Sequence, residues 1–114
     1  NKKSLFPLEK RKTWINNCFK GNDKIEVMDY DGLTIDLCRQ LKACYILRGI
    51  RNMIDFQYEN DIAHANKQLA PEIETVFLTT ELAYSHISSS VVRDLYLHRG
   101  DCSAFIPDCY DIYE

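Results

Sequence analysis

The chain has 114 residues, 46% of them hydrophobic, and a formal net charge of −3. That is one domain's length, enough for a real core, and an acidic balance with no basic stripe argues against a nucleic-acid partner. No apolar run reaches membrane-spanning length and no signal-peptide pattern opens the chain, so a cytoplasmic protein with no membrane partner is expected. The five cysteines, at 18, 38, 44, 102 and 109, are an odd number with no CxxC pair. Cys18, Cys38 and Cys44 lie in apolar contexts, so core thiols in a reducing compartment are expected rather than a disulfide framework. His64, His86 and His98 show no metal-ligand spacing with them, and no metal site is expected.

Taken in order, Lys2 to Leu5 reads as a loop entering a helix. Pro7 suits the first turn, and Glu9 lies near the positive end of the helix dipole. Leu8, Ile15, Cys18 and Phe19 are candidates to face a core, and Gly21 reads as the helix stop. Ile25–Met28 reads as a short strand and Asp29-Tyr30-Asp31-Gly32 as a turn. A helix is predicted over 33–41, with Leu33, Leu37 and Leu41 at steps of four. Cys44–Leu47 is a bounded apolar run of the kind that makes a buried parallel strand. It breaks at Arg48-Gly49 and restarts as a helix that ends near Ala70-Pro71. Ile54, Tyr58, Ile62, Ala65 and Leu69 recur there as one apolar stripe.

Ile73–Leu78 is the third predicted strand, Glu81–Ile87 a polar loop, and Ser88-Ser89-Ser90 the start of a helix closed by Gly100. The remainder reads as a short helix or turn around Phe105-Ile106-Pro107. Strands alternating with helices predict an α/β fold, a single domain over 1–114 with a parallel sheet and helices on both faces. Asn1-Lys2-Lys3 is an unusual start, and three strands are few for such a sheet; a further strand ahead of Lys2 is expected.

Two stretches could carry chemistry. Strand, glycine and helix is where open α/β folds place ligands, and Arg48 and Arg51 stand there with side chains shaped for forked contacts to phosphate. Two solvated arginines would look the same by spacing alone. Three serines before an apolar helix are most simply an N-cap. The same backbone N–H groups and hydroxyls also form an anion site. If both stretches end neighbouring strands, a triphosphate fits between them. Lys2 and Lys3 read by themselves as solvated terminal lysines, Glu59 as an exposed helix residue and Asp55 as a dipole-favourable one. P-loop, GxSxG and dinucleotide fingerprints are absent.

The segments RGIRNMIDFQYE, NKQLAPEIETVFL and YSHISSSVVRD together resemble phosphopantetheine adenylyltransferases, and the similarity runs from NKKSLFPLEKR to FIP. The resemblance implies a Rossmann-like nucleotidylyltransferase fold. It also implies transfer of the adenylyl group of ATP to 4′-phosphopantetheine, giving dephospho-coenzyme A and pyrophosphate with Mg²⁺, in a homohexamer. By the same resemblance, Lys2 matches a lysine at the reaction centre. Thr34 and Arg48 match phosphopantetheine contacts, with Lys2 and Arg48 in the catalytic role. Gly49, Ile50, Arg51, Glu59, Tyr84, Ser85, His86, Ile87, Ser88, Ser89 and Ser90 match the ATP subsite.

His86 departs from the aromatic residue, often Phe, found there in the family, and Gln57 from its usual Glu. The family's first strand and G-[ST]-F-D-P…G-H segment have no counterpart in these residues, so the chain by itself is expected to be inactive. The alternative is a non-catalytic nucleotide-binding or assembly module derived from the same fold. Since a phosphate acceptor is already a nucleophile at neutral pH, the implied reaction asks for positioning and charge neutralisation rather than a strong general base.

Overall fold

The computed structural model describes residues 4–113. They fall into two compact units, Asn1–Asp29 with Ile87–Glu114, and Tyr30–His86. Each is taken by itself.

In the second unit, α2 (Thr34–Leu41), β1 (Tyr45–Ile50), α3 (Met53–Leu69) and β2 (Glu74–Thr79) follow one another, and a short 3₁₀ turn spans Leu82–Tyr84. The first unit contributes α1 (Leu8–Cys18) and α4 (Ser89–Leu97). β1 and β2 pair in parallel, from Tyr45 opposite Glu74 to Ile50 opposite Thr79. The helical crossover α3 joins them, the βαβ arrangement of a Rossmann-like α/β fold.

β1 runs three residues further than the sequence suggests. Arg48 and Gly49 lie inside the strand, opposite Phe77 and Leu78, and not in a turn. Gly49 is not among the glycines with positive φ, so here it continues the ladder and does not break it. The break falls at Arg51-Asn52. Asn52 caps α3, its side chain accepting from the Asp55 N–H at 2.9 Å.

Alternation along the strands puts Ile46, Arg48 and Ile50 on one face with Thr75, Phe77 and Thr79. α3 covers that face, with Phe56 edge-on to Phe77 at 5.8 Å between centroids. α2 adds Ile35 and Cys38, which pack with Ala43, Ile46, Ala70 and Ile73 into the core of the unit. On the opposite face Tyr45 is 70% exposed, and Leu47, Val76 and Leu78 are exposed with it.

The predicted apolar stripe of α3 faces outward. Ile54 is 81% exposed, and Tyr58 and Leu69 are exposed as well, while Ile62, at 39%, reaches the cavity described below. The half-buried side of the helix is instead Glu59, Ala63 and Asn66, leading to fully buried Ala70. Polar residues point inward because they line a cavity, and burial follows the site rather than hydropathy. In α2 the buried pair is Ile35 and Cys38, while Leu33 and Leu41 are exposed.

The first unit is built on aromatic rings. Buried Trp14 stacks on Tyr110 at 5.4 Å and meets Phe6 edge-on at 4.9 Å, and Phe6 in turn meets Tyr96 of α4. Around it Leu8 and Phe19, two of the expected core positions, are exposed. The predicted strand Ile25–Met28 does not form. A strand needs a ladder partner, and among the described residues this unit holds none; Ile25 N–H closes a turn on Asn22 O instead. α1 ends at Cys18, ahead of Gly21. After α4 it is Arg99, at φ 59°, that takes the left-handed conformation, and the Gly100 N–H returns to Leu95 O at 2.7 Å. The segment beyond forms turns anchored by buried Cys102 and Ile112, with no helix around Pro107. The Tyr113 hydroxyl accepts from Cys102 N–H and donates to Gly100 O.

The cysteines also depart from expectation. Cys18 and Cys109 form a disulfide, their Cα atoms 5.1 Å apart across a sequence separation of 91. Cys38 is the buried thiol expected, Cys102 is a second, and Cys44 is an exposed one. Bridging is possible because the closing segment brings Cys109 to the end of α1, a proximity no sequence spacing carries. Thiol titration of the unfolded, unreduced protein should therefore find three thiols, rising to five after reduction. Closing so long a loop stabilises a fold by roughly 2–4 kcal/mol, so reduction should lower the melting temperature. Five thiols without reductant would exclude the bridge.

Candidate active site

Within the second unit a cavity of about 190 Å³ opens between the covered face of the sheet and α3. Tyr30, Thr34, Arg48, Glu59, Asn66 and Thr75 give it a polar lining, and Ile46, Ile62 and Ala63 complete the wall. β1 supplies Arg48 and α3 supplies Glu59, one on each side of the crossover. Their side chains meet in a forked pair, Arg48 Nε to Glu59 Oε2 at 2.9 Å and Nη2 to Oε1 at 2.6 Å. Glu59 is 13% exposed and Arg48 53%, so the half-buried carboxylate is the anchor and the guanidinium reaches out from it. The hydrogen bonds to Glu59 hold the Arg48 pKa above its ordinary value, against the opposing effect of burial. A guanidinium has five N–H groups. Two go to Glu59, and the Nη1 edge is left for an anion.

Three residues of the sequence reading, Thr34, Arg48 and Glu59, are thus brought together in one cavity. Glu59 was expected in the ATP subsite; here its partner is the arginine matched to phosphopantetheine. Tyr30, Asn66 and Thr75 escaped the sequence reading. Glu59, Ala63 and Asn66 at steps of four and three could have signalled a shared helix face, but two of the three are polar, and hydrophobic periodicity passes over them.

Gly49 and Ile50 end β1, with Ile50 buried, and Arg51 follows directly. Arg51 is locked onto Asp55, Nε to Oδ2 at 2.8 Å and Nη2 to Oδ1 at 3.2 Å, while its backbone N–H also reaches Oδ2. The Arg51 guanidinium holds the Asp55 carboxyl below the usual carboxylate range. What this pair contributes is present above the carboxylate's unfolded pKa and is lost as pH falls through the lowered folded value. The dipole-favourable reading of Asp55 is therefore incomplete, because it also fixes Arg51.

Tyr84 is exposed in the 3₁₀ turn and His86 is exposed just after it; Ser85 Oγ donates to Leu82 O at 2.9 Å. Ile87, Ser88, Ser89 and Ser90 belong to the first unit. There Ser88 is the N-cap of α4, accepting from Val91 N–H at 3.2 Å, and Ser90 Oγ accepts from Arg93. Lys2, expected at the reaction centre, lies outside the described residues.

Among the described residues no group of three His, Cys, Asp or Glu side chains is placed to hold a metal ion. Glu59 and Asp55, the carboxylates beside the two arginines, are both engaged in forked pairs. This donor set does not fit a protein-held Mg²⁺. No helix among these residues is long and apolar enough to cross a membrane.

Comparison with known proteins agrees with this arrangement. The cytidylyltransferase-like family model matches residues 1–95. The phosphopantetheine adenylyltransferase of Flavobacterium johnsoniae is 50% identical over 107 residues, 94% of this chain and 70% of that protein. The enzyme of the same name from Bacteroides thetaiotaomicron is 47% identical over 112 residues, 98% of this chain and 74% of its own length. That of Prochlorococcus marinus subsp. pastoris is 44% identical over 108 residues, 95% and 68% respectively.

The serines differ in what they do locally. Ser88→Ala should cost about 1 kcal/mol of stability through loss of the cap, whereas Ser89→Ala, whose hydroxyl caps nothing, should stay within about 0.5 kcal/mol of the parent. Urea unfolding of both variants measures this, and equal losses would contradict the assignment of the cap to Ser88. The parallel βαβ unit, the arginine-lined cavity and these relatives lead to one conclusion: the chain belongs to the phosphopantetheine adenylyltransferase family of cytidylyltransferase-like proteins.

Proposed function

We propose that this chain serves adenylyl transfer from ATP to 4′-phosphopantetheine together with the family's G-[ST]-F-D-P…G-H segment, with the acceptor phosphate on Arg48. The observation that carries this reading is the guanidinium lining the cavity, anchored on a half-buried carboxylate, its Nη1 edge directed away from Glu59. A phosphate monoester is largely dianionic near neutral pH, its second pKa being about 6. It needs no general base. One of its oxygens bonds to the α-phosphorus of ATP, the bond from that phosphorus to the bridging oxygen breaks, and pyrophosphate leaves with the electron pair. The protein's part is to hold the two phosphates in line and to offset the growing charge.

Arg48 does this for the acceptor. The resemblance assigns Arg51 and the serine-capped helix to the nucleotide, and the Asp55 contact supports that role by fixing the Arg51 fork in advance. Because the carboxylates present do not form a cage, Mg²⁺ belongs to this reading as a companion of the ATP phosphate oxygens, and no step is assigned to it. A cytoplasmic setting and assembly into a homo-oligomer, a hexamer by resemblance, are part of the same proposal. Exposed apolar side chains on the open sheet face and on α3 support a partner there.

The test is turnover with both substrates, followed by mass detection of dephospho-coenzyme A and by pyrophosphate release. Arg48→Ala should raise KM for phosphopantetheine roughly ten- to a hundredfold, the worth of one or two charge-assisted hydrogen bonds. Arg51→Ala should chiefly raise KM for ATP. Equal effects of both variants on both substrates would refute the division of labour. Binding of both ligands without product, with that segment present, would favour the non-catalytic module.

A further inference from the structure

Tyr30 lines the same cavity as Arg48, and its hydroxyl lies 2.7 Å from Thr34 Oγ1. Thr34 opens α2, but the N-cap position belongs to Leu33, which offers no side-chain hydrogen bond. The Thr34 hydroxyl is therefore not spent on capping. Its partner is Tyr30. In this pair either hydroxyl can be the donor. Each hydroxyl has one proton and two lone pairs. If Tyr30 donates to Thr34, the proton of Thr34 is left to point elsewhere in the cavity.

We propose that Tyr30 is a specificity-determining positioning residue for the acceptor, setting the Thr34 hydroxyl as a hydrogen-bond donor to an oxygen on the acceptor's organic tail. This rests on the adenylyl-transfer reading, in which Arg48 takes the acceptor phosphate. The tail of phosphopantetheine carries a hydroxyl and then an amide carbonyl beyond the phosphate ester, and either presents the oxygen that such a donor selects. A phosphate without a tail engages Arg48 alone and gains nothing from Tyr30. Chained hydroxyls polarise one another, so the pair acts as a unit and not as two separate contacts.

Calorimetric titration of the wild type, Tyr30→Phe, Thr34→Val and the double variant tests this, using 4′-phosphopantetheine, ATP and inorganic phosphate in turn. Each single variant should raise the Kd for 4′-phosphopantetheine about three- to tenfold, the scale of one neutral hydrogen bond. The double variant should be no worse than Thr34→Val alone. ATP and inorganic phosphate should bind all four proteins alike within about twofold, since neither ligand carries the tail oxygen. A role confined to the fold would lower the melting temperature and leave these constants unchanged, overturning the proposal. So would single-variant losses that multiply in the double variant. A wild type that binds ATP but not 4′-phosphopantetheine would instead overturn the adenylyl-transfer reading, and this inference with it.

Discussion

The forked pair between Arg48 and Glu59 is the constraint on which the second unit is arranged. A strand and its crossover helix each contribute one partner, so the pair joins the two elements whose packing defines the cavity. With Glu59 largely covered, its charge is acceptable only because the arginine satisfies it in two places. Arg48 in turn keeps one edge for solvent or ligand. A guanidinium held this way has lost most of its rotamer freedom before any phosphate arrives, which is the meaning of preorganisation in a site that works by positioning.

That same pair explains why the longest helix reads inside out from sequence. Periodicity assumes that the buried stripe is the apolar one. In α3 the inward positions include Glu59 and Asn66, while Ile54, Tyr58 and Leu69 are exposed. The existence of the helix and its close near Ala70-Pro71 were legible, but its start was not: the break read at Arg48-Gly49 falls at Arg51-Asn52, where Asn52 caps the helix. Its orientation was not legible either, since a cavity with a polar lining reversed the hydropathy rule. β1 shows a smaller version of the effect. Gly49 looks like a turn when read locally, and only its ladder partner in β2 reveals it as strand.

What was recognisable came from short motifs. RGIR and the helix after it carried Arg48, Arg51 and Glu59 to one end of the sheet, and ISSS carried a cap whose acting residue is Ser88. What was hidden needed long-range proximity. Tyr30 reads as part of a turn, Thr75 as an ordinary strand residue, and Cys18 gives no sign of Cys109, 91 positions away. Strand Ile25–Met28 failed for a related reason: β-branched residues favour a strand only where a neighbouring strand exists to pair with.

In the proposed reading Glu59 serves the acceptor subsite by fixing Arg48, although the resemblance matches it to ATP. Replacing Glu59 with Gln keeps the shape and removes the charge-assisted fork, and titration of that variant with both ligands separates the two roles. In Glu59→Gln the Kd for 4′-phosphopantetheine should rise about tenfold, the equivalent of about 1.4 kcal/mol, with ATP affinity changed less than about twofold. Unchanged or tighter phosphopantetheine binding, together with a clear loss of ATP affinity, would contradict it.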